Sequence, residues 1–183
     1  MKRVVVTGLG LLTSIGDGVQ NTWDNLILCK SGIIKISSFD TEQLPCKIAG
    51  FITNNPEEDN FFDQNNYFNH KDINRNDRFI LYGLAAAEQA IKDAGIDTVS
   101  DEIKLRTGVT VGSGIGGLET IYEGSITLIN KGPRRISPFF IPSSLVNLLS
   151  GQISIKYGFK GPNHSVVTAC ATGAHSIGDA SEM

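Results

Sequence analysis

The sequence is poor in every feature that would place it in a membrane, on a nucleic acid or in an oxidising compartment. No apolar run approaches the roughly 18–20 residues that a bilayer-spanning helix requires. The net charge is −3, so the chain as a whole offers no electrostatic case for nucleic acid. Only three cysteines occur, Cys29, Cys46 and Cys170, far apart and without CxxC spacing. That usage reads as reduced thiols in a cytoplasmic protein. The N-terminus runs from basic Lys2-Arg3 into apolar Val4–Val6, but Gly8 and Gly10 break the run and no small-residue cleavage pattern follows, so no signal peptide is expected.

What is present suits one α/β domain. The 183 residues are 40% hydrophobic, enough for a substantial core. The mild excess is glycine, 20 residues concentrated at strand–turn–helix junctions. Arg3–Thr7, Thr107–Gly112 and His164–Ala169 are β-branched runs and read as buried strands of a mainly parallel sheet. Helical spacing marks Asn21–Lys30, through Trp23, Leu26 and Ile27, and most clearly Asp77–Gly95, where Gly95 fits the C′ position. Leu118–Asn130 and Ser143–Tyr157 are further helices, the latter opened by a serine cap, and Ala171–Met183 begins another. Ile48–Ile52 suggests a short strand. Asn54–Asn76 has no clean period and reads as the surface part of an excursion over residues 33–76, while Gly132–Pro142 reads as an irregular arm. The strand–helix alternation predicts a mainly parallel sheet with helices on both faces.

The most informative stretch is Asn163-His164-Ser165-Val166-Val167-Thr168-Ala169-Cys170-Ala171-Thr172-Gly173-Ala174-His175. A β-branched run climbs to a cysteine, and small residues follow as the first turn of a helix. At that junction backbone N–H groups and the helix dipole stabilise a thiolate. Cys170 therefore reads either as a nucleophile at the carboxyl end of a strand or as a small buried hydrophobe. Cys29 and Cys46 have no such setting and default to structural. His164 lies six strand residues from Cys170, about 20 Å, and His175 lies five helical residues beyond it, about 140° around the axis. The three are not a metal site, and neither histidine is an obvious base for the thiol.

Two glycine-rich turns invite nucleotide readings. Gly8-Leu9-Gly10 lacks the third small residue of a dinucleotide fingerprint, since Thr13 stands there, and no acidic residue closes a second strand. Gly112-Ser113-Gly114-Ile115-Gly116-Gly117 lacks the Gly-Lys-Ser/Thr ending of a phosphate loop. Both read better as turns that let another element or a ligand approach closely. Arg134 and Arg135 are either a solvated pair or a contact for an anionic partner, and Lys71, Arg75 and Arg78 form a second small basic group on an acidic chain.

Four motifs occur in one order: KRVVVTGLG within Met1–Gly10, GSGIGG at Gly112–Gly117, GPRRISPFFIPSSLV at Gly132–Val146 and GPNHSVVTACATG at Gly161–Gly173. Together they resemble the β-ketoacyl-acyl-carrier-protein synthases, the elongating synthase II type above all, over all 183 residues. The resemblance implies a thiolase-like fold, two α/β halves in a five-layer αβαβα sandwich, and a homodimer. It implies Cys170 as the acyl-accepting nucleophile, Ile115 as a lining of the acyl pocket, Phe140 and Ile141 as the arm towards the partner's pocket, and Arg134 and Arg135 as positions facing the acyl carrier protein. The implied reaction is decarboxylative Claisen condensation with malonyl-carrier, without a cofactor or metal. The implied acyl oxyanion is held by the cysteine N–H and by a residue near the C-terminus. Two histidines and a lysine serve decarboxylation in the family, and this sequence has no positions matching them; His164 and His175 do not occupy those motifs. The expectation is a partial N-terminal synthase domain over 1–183, inactive in condensation by itself, with an apolar sheet edge exposed. The alternative is a non-catalytic remnant or a binding fragment that contacts acyl carrier protein or an intact synthase subunit.

Overall fold

The computed structural model describes residues 3–53, 55–57 and 61–183. The chain opens with a hairpin of β1 (Leu12–Thr13) and β2 (Gly16–Asp17), followed by helix α1 (Val19–Ile27). Strands β3 (Ile33–Lys35) and β4 (Ile48–Gly50) pair antiparallel. Helices α2 (His70–Arg75), α3 (Arg78–Asp93) and α4 (Asp101–Arg106) lead to β5 (Val109–Thr110). Then come α5 (Leu118–Lys131), α6 (Phe140–Ser144), α7 (Asn147–Tyr157), β6 (Asn163–His164) and α8 (Thr172–Glu182). Strands β5 and β6 run parallel, Val109 opposite Asn163 and Thr110 opposite His164, so α5 to α7 form the crossover between them.

The core lies between α3 and α7. Ile80, Leu81, Leu84, Ala85 and Ile91 of α3 recur at helical spacing and meet Leu149 and Ile153 of α7, with Val109 and Phe159 alongside. The predicted stop of α3 is formed in full: Gly95 has φ 66°, its N–H reaches Lys92 O at 3.1 Å, and the Ile96 N–H reaches Ile91 O at 3.1 Å. This is the paired bond pattern that satisfies the last carbonyls of a helix.

Glu88 fastens α3 to α7. Its carboxylate meets Lys92 Nζ at 2.6 Å and Lys156 Nζ at 2.5 Å. Burial pushes the Glu88 pKa up, but hydrogen bonds and charge from the two ammonium groups outweigh it, and the result lies below the ordinary 4.5. A depressed folded-state pKa contributes stability that is complete above the unfolded value and is lost as pH falls through the folded one. Glu88→Gln is therefore expected to flatten the fall in urea midpoint between about pH 6 and about pH 3. Parallel falls in variant and parent would exclude Glu88 as the source.

Several sequence expectations are corrected. Arg3–Thr7 pairs with no strand among the described residues, and Val4, Val5 and Val6 are 60%, 60% and 76% exposed. A β-branched run buries both faces only where sheet neighbours flank it; here no described strand flanks the segment and its valines are exposed. The chain that follows lies on α3. Leu9 N–H donates to Asp93 Oδ2 and Leu11 N–H to Gln89 Oε1, at 2.9 and 3.0 Å. Two extended residues advance roughly 6.6 Å and four helical residues 6.0 Å, so alternate strand residues match every fourth helix residue. A Cβ on Gly8 or Gly10 would collide with the carbonyl oxygen of Ala90 or Ala86. These glycines serve close packing, not a nucleotide.

Residues 165–168 are not strand either; the parallel ladder ends at His164, and Val167 is exposed. The stretch 54–76, expected at the surface, sends Phe62 and Phe68 into the core, Phe62 being 1% exposed. Phe62 packs against the rings of Tyr67 and Tyr82, with centroids 5.4 and 5.8 Å away. Two single aromatics separated by turns carry no period to detect. In α1, Trp23, Leu26 and Ile27 face outward, while buried Thr22 and Asn25 donate to the hairpin carbonyls of Gly16 and Ile15. The serine cap at Ser143 does not form. Ser143 and Ser144 bond back to Phe139 O and Phe140 O, and Leu145, extended at ψ 131°, separates α6 from α7.

Candidate active site

The segment after β6 is fixed before it reaches Cys170. Ser150 Oγ, fully buried on α7, lies 2.7 Å from Asn163 Oδ1 and 3.0 Å from Ser165 Oγ. Asn163 Nδ2 donates to Ser150 O and Ser154 Oγ. These bonds clamp the chain to α7 through groups that carry no catalytic pattern in the sequence.

Beyond them the backbone turns sharply. Thr168 has φ −134° and ψ 39°, and Ala169 has φ 51°, in the left-handed region. A non-glycine residue there costs on the order of 1–3 kcal/mol and persists only where its surroundings impose it. The 3-10 turn Ala169–Ala171 then carries Cys170, and α8 begins at Thr172. Cys170 is exposed, free of any disulfide and at the head of a helix. The alternative of a buried structural thiol is thereby excluded. His175 Nδ1 lies 2.7 Å from Thr168 Oγ1, so this histidine braces the turn. His164 is held on β6, its carbonyl accepting the Val111 N–H at 3.3 Å.

The glycine turn after β5 is the surface on which this elbow rests. A Cβ on Gly112 would collide with Val166 O, and one on Gly114 would lie 3.4 Å from Ala169 O. At its other end a Cβ on Gly116 would come within 2.9 Å of Ser144 O. The turn therefore admits two neighbouring elements, the elbow and α6, and Ile115 stands between those contacts, 70% exposed.

Buried Asp77 secures that turn from beneath. Its Oδ1 accepts the Phe79 N–H of α3 at 3.3 Å. Its Oδ2 accepts the Thr120 N–H of α5 at 3.0 Å and the Thr120 hydroxyl at 2.7 Å. One carboxyl group thus caps two helices. Alongside, Arg78 grips Glu119 with two hydrogen bonds, Nε to Oε2 at 2.6 Å and a second to Oε1, which raises the arginine pKa. Burial raises that of neighbouring Tyr82. The only local signal for the Asp77 cap is an N-cap aspartate before α3; its second helix lies 43 residues away.

The whole chain, residues 1–183, matches the model of the β-ketoacyl synthase N-terminal domain. The chain belongs to the β-ketoacyl synthase family. It is 49% identical over 183 residues to 3-oxoacyl-[acyl-carrier-protein] synthase 2 of Rhizobium meliloti (strain 1021), covering all of this chain and 44% of that protein. It is 47% identical over 198 residues to the mitochondrial 3-oxoacyl-[acyl-carrier-protein] synthase of Arabidopsis thaliana, covering all of this chain and 42% of that one. The chain therefore spans less than half the length of these relatives. Among solved structures, the ishigamide ketosynthase/chain length factor superposes with a TM-score of 0.81 at 29% identity, over 97% of this chain and 43% of that one. A type II polyketide ketosynthase, solved with its acyl carrier protein, superposes with a TM-score of 0.73 at 26% identity, over all of this chain and 46% of that one. The α/β, thiolase-like fold class follows.

Within this synthase fold the remaining predicted residues spread along α5. Phe140 packs on Gly124, where a Cβ would strike its ring, and Ile141 is 57% exposed. Arg134 and Arg135 are exposed on the 3-10 turn Pro133–Arg135, at the far end of α5, which is roughly 20 Å long. The basic group Lys71, Arg75 and Arg78 is not a free cluster. Arg78 is taken by Glu119, and the Arg75 guanidinium stacks over Phe139 at 4.7 Å. The arm is thus folded against α5 rather than irregular. Arg75 and Arg135 line one cavity of about 240 Å³ with Glu123, Phe139 and Phe140. No group of three or more His, Cys, Asp or Glu among the described residues is arranged to hold a metal, and no described helix is long and apolar enough to cross a membrane.

Proposed function

We propose that residues 1–183 form a partial N-terminal domain of an elongating 3-oxoacyl-[acyl-carrier-protein] synthase, with Cys170 as the residue that accepts the acyl chain. The observation that carries this reading is the exposed Cys170 on its left-handed turn at the head of α8. An exposed thiol in that position meets an acyl thioester without moving core side chains. Ile115, Phe140 and Ile141 contribute to the acyl pocket, the latter two towards the second subunit of a homodimer. Arg134 and Arg135, exposed and cationic, meet the acidic acyl carrier protein. Condensation with a malonyl-carrier thioester then extends the chain in the cytoplasm.

Mass spectrometry tests the acyl-accepting step. After incubation of the intact protein with an acyl-carrier thioester, the peptide containing Cys170 is expected to gain the mass of one acyl group. An unmodified Cys170 peptide sinks the reading. The 183-residue polypeptide alone is expected to release no carbon dioxide from malonyl-carrier, because it has no positions matching the family's two histidines and lysine. Condensation by that polypeptide would overturn this division of labour.

A further inference from the structure

Thr172 sits where the Cys170 turn joins α8 and is 4% exposed. Its hydroxyl accepts the Thr168 N–H at 2.9 Å and donates to Ala169 O at 2.7 Å. Ala169 O also receives the Thr172 backbone N–H. Its methyl group packs towards Gly112, where a Cβ would lie 2.6 Å from Thr172 Cγ2. The side chain therefore closes a ring of hydrogen bonds around Ala169, the residue with φ 51°.

The Ala169–Cys170 peptide is trans, so its C=O and N–H point in opposite directions. With the Ala169 carbonyl held against α8, the Cys170 N–H is turned to the other side of the peptide plane, away from the helix. A nucleophile's own backbone N–H lies within reach of the oxygen on the carbon that it attacks, and stabilises the charge formed there.

We propose that Thr172 is a positioning residue for acyl transfer, aiming the Cys170 N–H at the developing oxyanion by holding the Ala169 carbonyl on the helix side. In this step the Cys170 thiol gives up its proton and Sγ bonds to the thioester carbonyl carbon. The carbonyl electron pair moves onto oxygen, beside the Cys170 N–H. When it returns, the bond to the departing sulfur breaks, and that sulfur leaves as a thiol carrying the proton. The assignment rests on Cys170 being the acyl acceptor.

The test compares Thr172→Val, which keeps the shape and loses the hydroxyl, with Thr172→Ser, which keeps the hydroxyl, in the intact protein. Each is given p-nitrophenyl acetate, an acyl-carrier thioester and, separately, iodoacetamide. Alkylation by iodoacetamide forms no oxyanion and reports access to the thiol alone. Thr172→Val is expected to slow maximal acylation by about 10–100-fold with KM changed less than about twofold, as for an interaction made only in the transition state. Thr172→Ser should acylate at close to the parent rate, and both variants should alkylate at the parent rate. The proposal is overturned if Thr172→Val acylates normally, if both variants lose acylation equally, or if alkylation falls in step with acylation. A parent protein acylated by p-nitrophenyl acetate but not by the carrier thioester removes the carrier-dependent function and leaves the Thr172 assignment standing. A parent acylated by neither removes both.

Discussion

Cys170→Ala is expected to abolish acyl uptake, with a loss on the order of 10⁴-fold or more, the scale seen when a catalytic nucleophile is deleted. Cys170 is exposed, so the substitution removes sulfur without opening a core cavity. Thermal stability should therefore stay at the parent value. Cys29→Ala and Cys46→Ala serve as comparisons, since both thiols are also exposed but lie outside the elbow. The measurement is the rate at which an acyl group from the carrier thioester appears on the protein, followed by intact mass. Uptake that survives Cys170→Ala, or that disappears instead in Cys46→Ala, would move the nucleophile elsewhere.

Asp77→Ala should be the most damaging single substitution for stability at the site. It removes the N-cap of α3 and the bonds to Thr120 at the start of α5 together, and it leaves the half-buried Thr120 hydroxyl without its acceptor. A lost cap costs about 0.5–2 kcal/mol, and hydrogen bonds to a carboxylate about 1.5–3 kcal/mol. A total near 3 kcal/mol lowers the melting temperature by roughly 6–12 °C for a domain of this size. Asp77→Asn separates the two roles. Its amide has a single acceptor oxygen, so it serves α3 or α5 but not both. Its melting temperature should fall between those of the parent and Asp77→Ala. Equal stability of Asp77→Asn and the parent would mean that one of the two caps contributes nothing. Because Asp77 lies beneath the turn that bears Ile115 and abuts the elbow, Asp77→Ala should also slow Cys170 acylation.

The parts that were legible in the chain are those governed by near neighbours. The apolar period of α3 and its Gly95 stop act within a few residues, and both form as read; Asp77, read as the first residue of that helix, is its N-cap. The same holds for the cysteine before a run of small residues, which becomes a turn leading into α8. The four motifs that resemble β-ketoacyl synthases are contiguous stretches, and the family match spans every residue. Long-range partners were not legible. Nothing near Phe62 shows that Tyr82 will receive its ring, and nothing near Arg75 or Arg78 shows that Phe139 and Glu119 will occupy them. Arg3–Thr7 has strand composition, but composition specifies a propensity and not a neighbour to pair with.

Local order along the chain determined the course of α3, where the thiol stands and which family the protein belongs to, because periods, helix stops and turns are short-range chemistry. Only the tertiary structure decided that Ser150 clamps Asn163 and Ser165 to α7, that Asp77 serves two helices, and that glycines 8 and 10 pack on α3. Each of those facts is a hydrogen bond or a steric approach set by three-dimensional packing, and strings of residues do not carry the distances that make it.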